Sequence, residues 1–297
     1  MSDVKVEASK DEMGENFPVG SFLLAPKHRP VIMAFYRVAR MADDIADDAQ
    51  LSETDKLARL AAIEATLKGK AAVDVPEALR LRQALIHTGI TDTHILDLLE
   101  AFRRDVTKRR YADWAELMDY CRYSACPVGR FMLDVHGESR ATWPASDALC
   151  SALQLINHLQ DCGKDYREID RVYVPLDALA AADVPVEALG ADKATPQLKA
   201  VLNDLAWHTL DLVNAGAPLP GAIRDFRMRL EIGVIHGVAS SLTKRLMTAD
   251  PLSEKVHHDK LQMGLAALSG IGGALFGRRP LAAGPQLGHK DASSEGA

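Results

Sequence analysis

Apolar residues recur at steps of three and four along most of the chain from Pro30 onward, and alternating β-branched runs are rare. This spacing gathers apolar side chains on one face of an α-helix. We therefore predict an all-α fold, with helices over residues 30–47, 52–68, 76–87, 92–109, 112–135, 146–165, 194–214, 220–247 and 254–275.

The predicted breaks fall at residues 68–75, 137–144 and 174–194, where glycine, proline and small polar residues cluster. None of them has the character of a linker between two domains. The sequence therefore predicts one helical domain over residues 16–277, preceded by a flexible segment, residues 1–15. The end of the chain, residues 278–297, is rich in small and polar residues without an apolar period, which predicts a disordered tail.

Composition narrows the class of protein. Hydrophobic residues make up 47% and charged residues 26% of the 297 positions, which is typical of a globular protein with a packed core. The formal charge is -6, from 35 basic and 41 acidic side chains, so a broad nucleic-acid-binding surface is not expected. The four cysteines have no Cys-x-x-Cys spacing, and we interpret them as reduced core thiols.

The sequence also bears on location. Its first 17 residues are charged and lack the apolar stretch of a secretory signal. The longest apolar segment, residues 263–276, is shorter than the roughly 20 residues that span a bilayer. We expect a cytoplasmic protein, with peripheral contact at the inner face of the membrane left open. Residues 263–276, which precede Arg278 and Arg279, either rest on a membrane or pack as the final core helix.

Two acidic clusters carry the candidate chemistry. Asp43 and Asp47 follow one apolar run, and Asp161 and Asp165 follow another. Residues four apart lie on the same side of a helix, so each pair can point at one ion. Two such pairs on facing helices would concentrate negative charge, which is costly unless cations neutralise it. Mg²⁺ prefers oxygen ligands and bridges carboxylates to phosphates, so the pattern predicts a magnesium-diphosphate site.

The alternative is that acidic pairs at helix ends are solvated surface charges, which is the commoner case for any single pair. Two pairs with the same spacing, each after a long apolar run and each near an arginine, favour a site.

Short sequence motifs around these two aspartate pairs are similar to those of a known protein family. AFYRVAR (residues 34–40) precedes the first pair and QLIN (154–157) leads to the second. RVYVP (171–175) follows the second pair, while Tyr120-Cys121 and PVG (127–129) lie between the pairs. Through these motifs the chain resembles the squalene/phytoene synthase family from about residue 16 to about residue 275.

The resemblance implies a single-domain isoprenoid synthase helical bundle with a central cavity. It implies that magnesium is held by Asp43, Asp47, Asp161 and Asp165. It also implies two further groups of residues: substrate-binding Asn16, Arg40, Gln154, Arg171 and Tyr173, and catalytic Tyr36, Tyr120, Asn157 and His158.

Some of these roles have equal or stronger structural alternatives. The rings of Tyr36 and Tyr120 either face a carbocation or pack in the core with satisfied hydroxyl groups. His158 either positions a water molecule or is a core histidine bound to backbone. Asp105 lies near the cavity or on a solvated helix face, and we leave it out of the predicted site.

Within the family, residues 15–21 and 125–130 are most similar to the subgroup that forms hydroxysqualene in bacterial hopanoid pathways. Gln160 stands where many family members have an arginine, and His158 also differs from the wider family. The subgroup implies ionisation of presqualene diphosphate, loss of diphosphate and capture by water, with other hopanoid-pathway enzymes as partners. Gly270-Ile271-Gly272-Gly273 lacks the βαβ context of a nicotinamide site.

Three rival functions remain open on the sequence. The same fold could condense two prenyl diphosphates to presqualene diphosphate, squalene or phytoene. A non-catalytic relative could serve in assembly or lipid binding, although a scaffold has no need for four gathered aspartates. An unrelated helical diphosphate hydrolase would share the need for magnesium.

Overall fold

A computed structural model describes residues 25–276. Within that range the secondary structure consists of α-helices and two short 3₁₀ turns without any strand, so the all-α prediction is confirmed. The helices are α1 Arg29–Asp47, α2 Glu53–Leu67, α3 Pro76–Thr88, α4 Thr93–Thr107, α5 Trp114–Ser124, α6 Cys126–Val135, α7 Trp143–Ile169, α8 Leu176–Ala181, α9 Pro196–Gly216, α10 Leu219–Ala222, α11 Phe226–Leu246 and α12 Lys260–Phe276.

Helix starts follow local chemistry. A proline occupies the first turn of α1, α3, α6, α7 and α9, where its missing N–H has no intrahelical partner to lose. Side-chain oxygens of Ser52, Asp113, Thr195 and Asp225 accept backbone N–H bonds at the starts of α2, α5, α9 and α11. Such caps stabilise a helix by about 1 kcal/mol each.

The helices pack around two apolar clusters. The first cluster is formed by residues of α1, α2, α3, α4 and α6, and includes Ile32, Leu60 and Leu81. The other joins α7, α9 and α11, and includes Leu202 and Leu242. A smaller aromatic cluster, containing Tyr111, Tyr120 and Tyr173, forms a third group of buried residues. The four cysteines are free thiols and three of them are buried, as expected of core thiols.

The predicted continuous helix over residues 112–135 is wrong. The chain breaks into α5 and α6 at Ala125, and Pro127 lies in the first turn of α6. Proline has no N–H to donate and its ring clashes with the carbonyl four residues earlier, so a straight helix cannot pass through it.

Other boundaries also differ from the prediction. Helix α7 continues to Ile169, so Asp161 and Asp165 lie within it and not at its end. The predicted helix 220–247 is two helices, α10 and α11, and the last helix begins at Lys260 instead of residue 254. The predicted break at residues 174–194 contains α8. The domain limits 16 and 277, the segment 1–15 and the tail 278–297 lie outside the described residues and stay predictions.

Helices α11 and α12 approach each other closely through glycines. A Cβ at Gly270 would lie 1.9 Å from the carbonyl oxygen of Gly233, and one at Gly237 would lie 2.3 Å from that of Ala266. Glycine is therefore required on this seam, because any side chain would push the two backbones apart. Among residues 25–276, no helix has the length and apolarity to cross a membrane.

We predict that Gly270→Ala destabilises the protein by about 1–3 kcal/mol, because its methyl group overlaps the α11 backbone. Gly273→Ala is the matched control on the same helix, since nothing lies within 4 Å of its added Cβ. Alanine has the higher helix propensity, so the control is expected to gain about 0.5–1 kcal/mol. Urea unfolding measures both. Equal effects of the two substitutions would contradict the close approach.

Candidate active site

A cavity of about 370 Å³ opens between α1, α4, the α5–α6 break, α7 and the segment after α7. This volume lies within the range of small-molecule sites, about 300–1,000 Å³. The cavity is lined by carboxylate and guanidinium groups, by the polar Ser124 and Gln154, and by apolar and aromatic residues that include Leu98, Phe102 and Val128.

Helical periodicity brings the site residues of α1 and α7 to the cavity. On α1 the lining residues Tyr36, Arg40, Asp43 and Asp47 follow at steps of four, three and four. On α7 the lining residues Gln154, His158, Asp165 and Ile169 keep steps of four, seven and four. At 100° per residue each set stays within a stripe of about 60° along its helix. The same pattern that buries an apolar face thus aligns the polar groups of the site.

The segment after α7 is fixed by the backbone next to α4. Val172 forms an isolated parallel bridge with Arg110, and its N–H donates to the carbonyl of Arg109 at 2.9 Å. Leu176 N–H donates to Tyr111 at 3.0 Å. These hydrogen bonds position the segment so that Arg171 and Tyr173 line the cavity.

Arg171 links three parts of the site. Its guanidinium donates to Asp47 Oδ1 at 3.0 Å, to the carbonyl oxygen of Asp105 at 3.1 Å and to the Tyr173 hydroxyl at 3.4 Å. On α1, Arg40 donates to Asp43 at 2.9 Å and pairs with Asp44 at 3.0 Å. Each arginine is therefore held in place by carboxylates before any anion arrives.

Carboxylates outnumber cationic groups in the cavity wall. Asp43, Asp47, Asp105 and Asp165 line it, against the guanidinium groups of Arg40 and Arg171. Burial, and then the charge of Asp47, raise the pKa of Asp43 to about 6. Burial, and then Asp161, raise the pKa of Asp165 to about 7. The cavity therefore favours binding of additional positive charge.

Asp105, which the sequence prediction left out, belongs to the site. Its Oδ2 accepts the Tyr120 hydroxyl hydrogen at 3.0 Å, while its buried Oδ1 has no hydrogen-bond partner. Burial raises the pKa of Asp105 to about 7, with Arg171 acting against the rise. A single aspartate inside the basic run 103–110 lacks the paired spacing that identified the other acids.

An aromatic wall faces the carboxylates. The rings of His158 and Tyr173 stack with centroids 3.4 Å apart, and the Tyr120 ring centroid lies 6.1 Å from that of His158. Gln154 Nε2 and His158 Nε2 are 3.1 Å apart. Burial, and then the charge of Arg171, lower the pKa of His158 to about 3, so the imidazole is neutral at physiological pH.

Most predicted site residues meet in this cavity. Its wall contains ten of the thirteen, namely Tyr36, Arg40, Asp43, Asp47, Tyr120, Gln154, His158, Asp165, Arg171 and Tyr173. Asn157 and Asp161 lie on α7, half-buried, but are not part of the wall. Asn16 falls outside the described residues. Gln160 turns away, since its amide donates to the carbonyl of Val256.

The donor set suits a hard cation, although the carboxylates are not gathered around one point. Within residues 25–276, no three acidic, histidine or cysteine side chains are grouped closely enough to hold a metal ion. Asp43 and Asp47 each bond to an arginine instead. Asp43 on α1 and Asp165 on α7 offer carboxylate oxygens, which are the ligands that Mg²⁺ prefers. Their raised pKa values indicate negative charge that no nearby group neutralises.

The fold and the cavity place the protein in the class of all-α isoprenoid synthases. A profile described as squalene/phytoene synthase matches residues 11–262. The chain belongs to the squalene/phytoene synthase family.

Relatives of known function are similar over nearly the full length. The chain is 50% identical to a hydroxysqualene synthase of Rhodopseudomonas palustris over 281 residues, which are 95% of this chain and 96% of the relative. It is 52% identical to a hydroxysqualene synthase of Sinorhizobium fredii over 258 residues, 87% of each chain. The crystal structure of a squalene synthase from Alicyclobacillus acidocaldarius, 27% identical, superposes with a TM-score of 0.69 over 79% of this chain and 89% of that one.

We predict that Asp105→Asn stabilises the metal-free protein more at pH 8 than at pH 5. The folded-state pKa of Asp105 is about 7, against an ordinary value of 3.8, so its carboxyl costs stability increasingly as the pH rises between these values. The asparagine amide can still accept from Tyr120 and carries no charge, and the gain should differ by about 1–3 kcal/mol between the two pH values.

Urea unfolding with a chelator present measures this difference. Asp192→Asn, at an exposed position, is the control and should show no such dependence on pH. An Asp105→Asn gain that is equal at pH 5 and pH 8 would show that Asp105 is not a buried, unneutralised acid.

Proposed function

We propose that the protein converts presqualene diphosphate to hydroxysqualene with the help of Mg²⁺. One observation carries the proposal: a single cavity sets four carboxylates and two arginines against an aromatic wall with a neutral histidine. It is supported by 50–52% identity to hydroxysqualene synthases over most of the chain.

The first step is loss of diphosphate. The carbon–oxygen bond of the substrate breaks, and its electron pair leaves with the diphosphate. Arg40 and Arg171 are placed to bind the departing oxygens, for which a planar guanidinium is well suited. Mg²⁺ held by aspartates of α1 and α7 would neutralise the negative charge that grows on the leaving group. Electrostatic stabilisation of this kind acts in the transition state.

The second step is containment of the cation. The cyclopropylcarbinyl cation rearranges to an open allylic cation, and nucleophiles other than the intended water must be kept away from it. Phe102 and Leu98 of α4 contribute apolar walls, and the rings of Tyr36 and Tyr120 line the same cavity. A cation over an aromatic face gains about 0.5–2 kcal/mol.

The third step is capture by water, and we assign its positioning to His158. The imidazole is neutral, is held by stacking on Tyr173 and lies within hydrogen-bonding distance of Gln154. A neutral ring nitrogen can hydrogen-bond a water molecule without adding positive charge beside the cation. The water oxygen bonds to the allylic carbon, and the released proton passes to diphosphate, which is an anionic base in the same cavity.

The condensing reaction is the weaker candidate. Many family members carry an arginine immediately before the second aspartate pair, whereas here Gln160 bonds to the backbone of Val256. One potential diphosphate contact is therefore replaced by a structural bond.

The substrate and the product carry long apolar chains that partition into lipid. We therefore propose that the protein works in the cytoplasm at the inner face of the membrane. There it would receive presqualene diphosphate from one partner enzyme of the hopanoid pathway and pass hydroxysqualene to another.

The proposal predicts that purified full-length protein with Mg²⁺ forms hydroxysqualene from presqualene diphosphate, identified by mass spectrometry, without a nicotinamide cofactor. Farnesyl diphosphate should give no product. Asp165→Asn, which weakens charge neutralisation at the leaving group, should lower kcat by at least about 10²-fold. Asp48→Asn, the neighbour of the α1 pair, is the matched control and should stay within about twofold of the parent, because asparagine can still accept the Gln50 N–H that Asp48 Oδ1 accepts at 2.7 Å.

Formation of presqualene diphosphate from farnesyl diphosphate would assign the chain to the condensing step. Absence of product from both substrates would support the non-catalytic alternative.

For water capture, we predict that His158→Leu lowers the fraction of hydroxysqualene among the products more strongly than it lowers kcat. Ionisation does not require the imidazole, whereas water delivery does, so proton loss to olefins should increase. Product ratios by gas chromatography measure this. His208→Leu, on the exposed side of α9, is the control. An unchanged product ratio in His158→Leu would limit His158 to a packing role.

A further inference from the structure

One hydroxyl group at the wall of the cavity has no hydrogen-bond partner. Ser124, the last residue of α5, is half-buried and lines the cavity. Its Oγ is buried and makes no hydrogen bond within residues 25–276. A buried hydroxyl group without a partner is less stable than one that is paired. A molecule in the cavity that pairs with the Ser124 hydroxyl would therefore be bound favourably.

Other buried or half-buried hydroxyl groups on helices of this protein are paired within their own helix. The side chains of four threonines donate to the carbonyl oxygen four residues earlier, at 2.8–2.9 Å, namely Thr66, Thr88, Thr209 and Thr243. For Ser124 the equivalent acceptor is the carbonyl oxygen of Tyr120, and this bond is not made. Rotation about χ1 moves the Ser124 hydroxyl between staggered positions, so it can turn toward the cavity that the same residue lines.

Contacts on both sides of Ser124 fix its level along α7. Four residues before it, the ring centroid of Tyr120 lies 6.1 Å from that of His158. Two residues after it, Cys126 Sγ lies 3.6 Å from Ser151 Oγ. Ser124 therefore lies level with the turn of α7 between these two contacts.

Gln154 occupies that turn of α7 and lines the same cavity. Its Nε2 is 3.1 Å from His158 Nε2, and the amide group also carries a carbonyl oxygen, which accepts hydrogen bonds. A serine hydroxyl oxygen accepts as well as donates. An ordered water molecule requires about two to four polar partners. Ser124, Gln154 and His158 supply such a set at one level of the cavity.

We propose that Ser124 and Gln154, together with His158, bind the water molecule that captures the carbocation. The inference rests on the proposed function and deepens it by naming the water subsite. The water molecule donates its hydrogens to the oxygens of Ser124 and Gln154, which leaves a lone pair for the allylic carbon. That lone pair forms the new carbon–oxygen bond, and the proton that the oxygen then loses goes to diphosphate.

The neutral character of these groups suits a position beside a carbocation. A carboxylate in the same place could bond to the cation and trap it, and a cationic side chain would repel it. Hydroxyl and amide groups orient a water molecule without either effect. Ser124 and Gln154 are the two residues of the cavity wall that carry these uncharged polar groups on aliphatic side chains.

The test compares the products that full-length S124A and S124C form from presqualene diphosphate and Mg²⁺ with those of the parent. Alanine removes the hydroxyl group, and cysteine keeps its shape but is a weak hydrogen-bonding group. Both should lower the ratio of hydroxysqualene to olefins at least about fivefold, the factor for one lost hydrogen bond. Since ionisation precedes water capture, kcat should stay within about threefold. Gas chromatography with mass spectrometry measures the ratio.

S151A is the matched control, because it removes a buried hydroxyl group from α7 that contacts Cys126 and does not line the cavity. It should keep the product ratio of the parent. Q154L, which removes the amide, should lower the ratio as S124A does.

Three results would overturn the inference. The first is a parental product ratio in S124A or Q154L. The second is a parental ratio in S124C beside a lowered one in S124A, which would assign Ser124 a packing role. The third is a clear loss of stability of S124A in urea unfolding, because it would show that the hydroxyl group is bonded within the folded protein. We expect S124A to unfold at the urea concentration of the parent or above it.

The parent separates this inference from the proposed function. If the parent forms hydroxysqualene and S124A keeps its product ratio, the function stands and the water subsite is wrong. If the parent forms no hydroxysqualene from presqualene diphosphate, the function fails and the inference fails with it.

Discussion

The unbalanced charge of the cavity is the constraint on which the rest of the site depends. Four carboxylates face two guanidinium groups, and burial raises the pKa of Asp43 and Asp165 to about 6 and 7. A buried charge is tolerated only when it is paired or neutralised. The protein therefore holds a site whose free energy improves when cations enter, and a cation-bearing diphosphate supplies that charge together with its own anionic oxygens.

The helices around the cavity serve this arrangement. Helices α1 and α7 each carry acids and other site residues along one stripe, while the remaining faces pack into the apolar clusters. Arg171 comes from a non-helical segment, and the bridge between Val172 and Arg110 brings it to α1 and α4. Rigid packing thus fixes the distance between like charges that would otherwise move apart.

Repeated spacing is visible in a sequence, and it predicts most of the acidic part of the site. Asp43 and Asp47 both line the cavity, whereas of the second pair Asp165 lines it and Asp161 does not. Asp105 was not predicted, because a single acid in a basic run has no local signal. Its place depends on where α4 packs.

The predicted helix boundaries were wrong where local backbone signals end or break a helix within an apolar period. Pro127 could have indicated the break between α5 and α6, since its effect on a helix is local. Helix α7 extends to Ile169 and is ended by Asp170, whose φ of 51° lies in the left-handed region that few non-glycine residues adopt. For residues 263–276 the sequence leaves two alternatives open, core packing or a membrane contact. Its inner face packs on α11 and its outer face carries exposed leucines.

The central claim is that half-buried aspartates with raised pKa values bind Mg²⁺ together with a diphosphate, and infrared spectroscopy tests it most directly. At pH 6 the metal-free protein should show a carboxylic-acid C=O band that is diminished in Asp43→Asn and Asp165→Asn. Adding Mg²⁺ with inorganic pyrophosphate should remove the part of this band that depends on Asp43 and Asp165, because neutralisation lowers the pKa of both acids. If the two substitutions leave the band of the metal-free protein unchanged, or if the part that depends on them persists after Mg²⁺ and pyrophosphate bind, the account is contradicted.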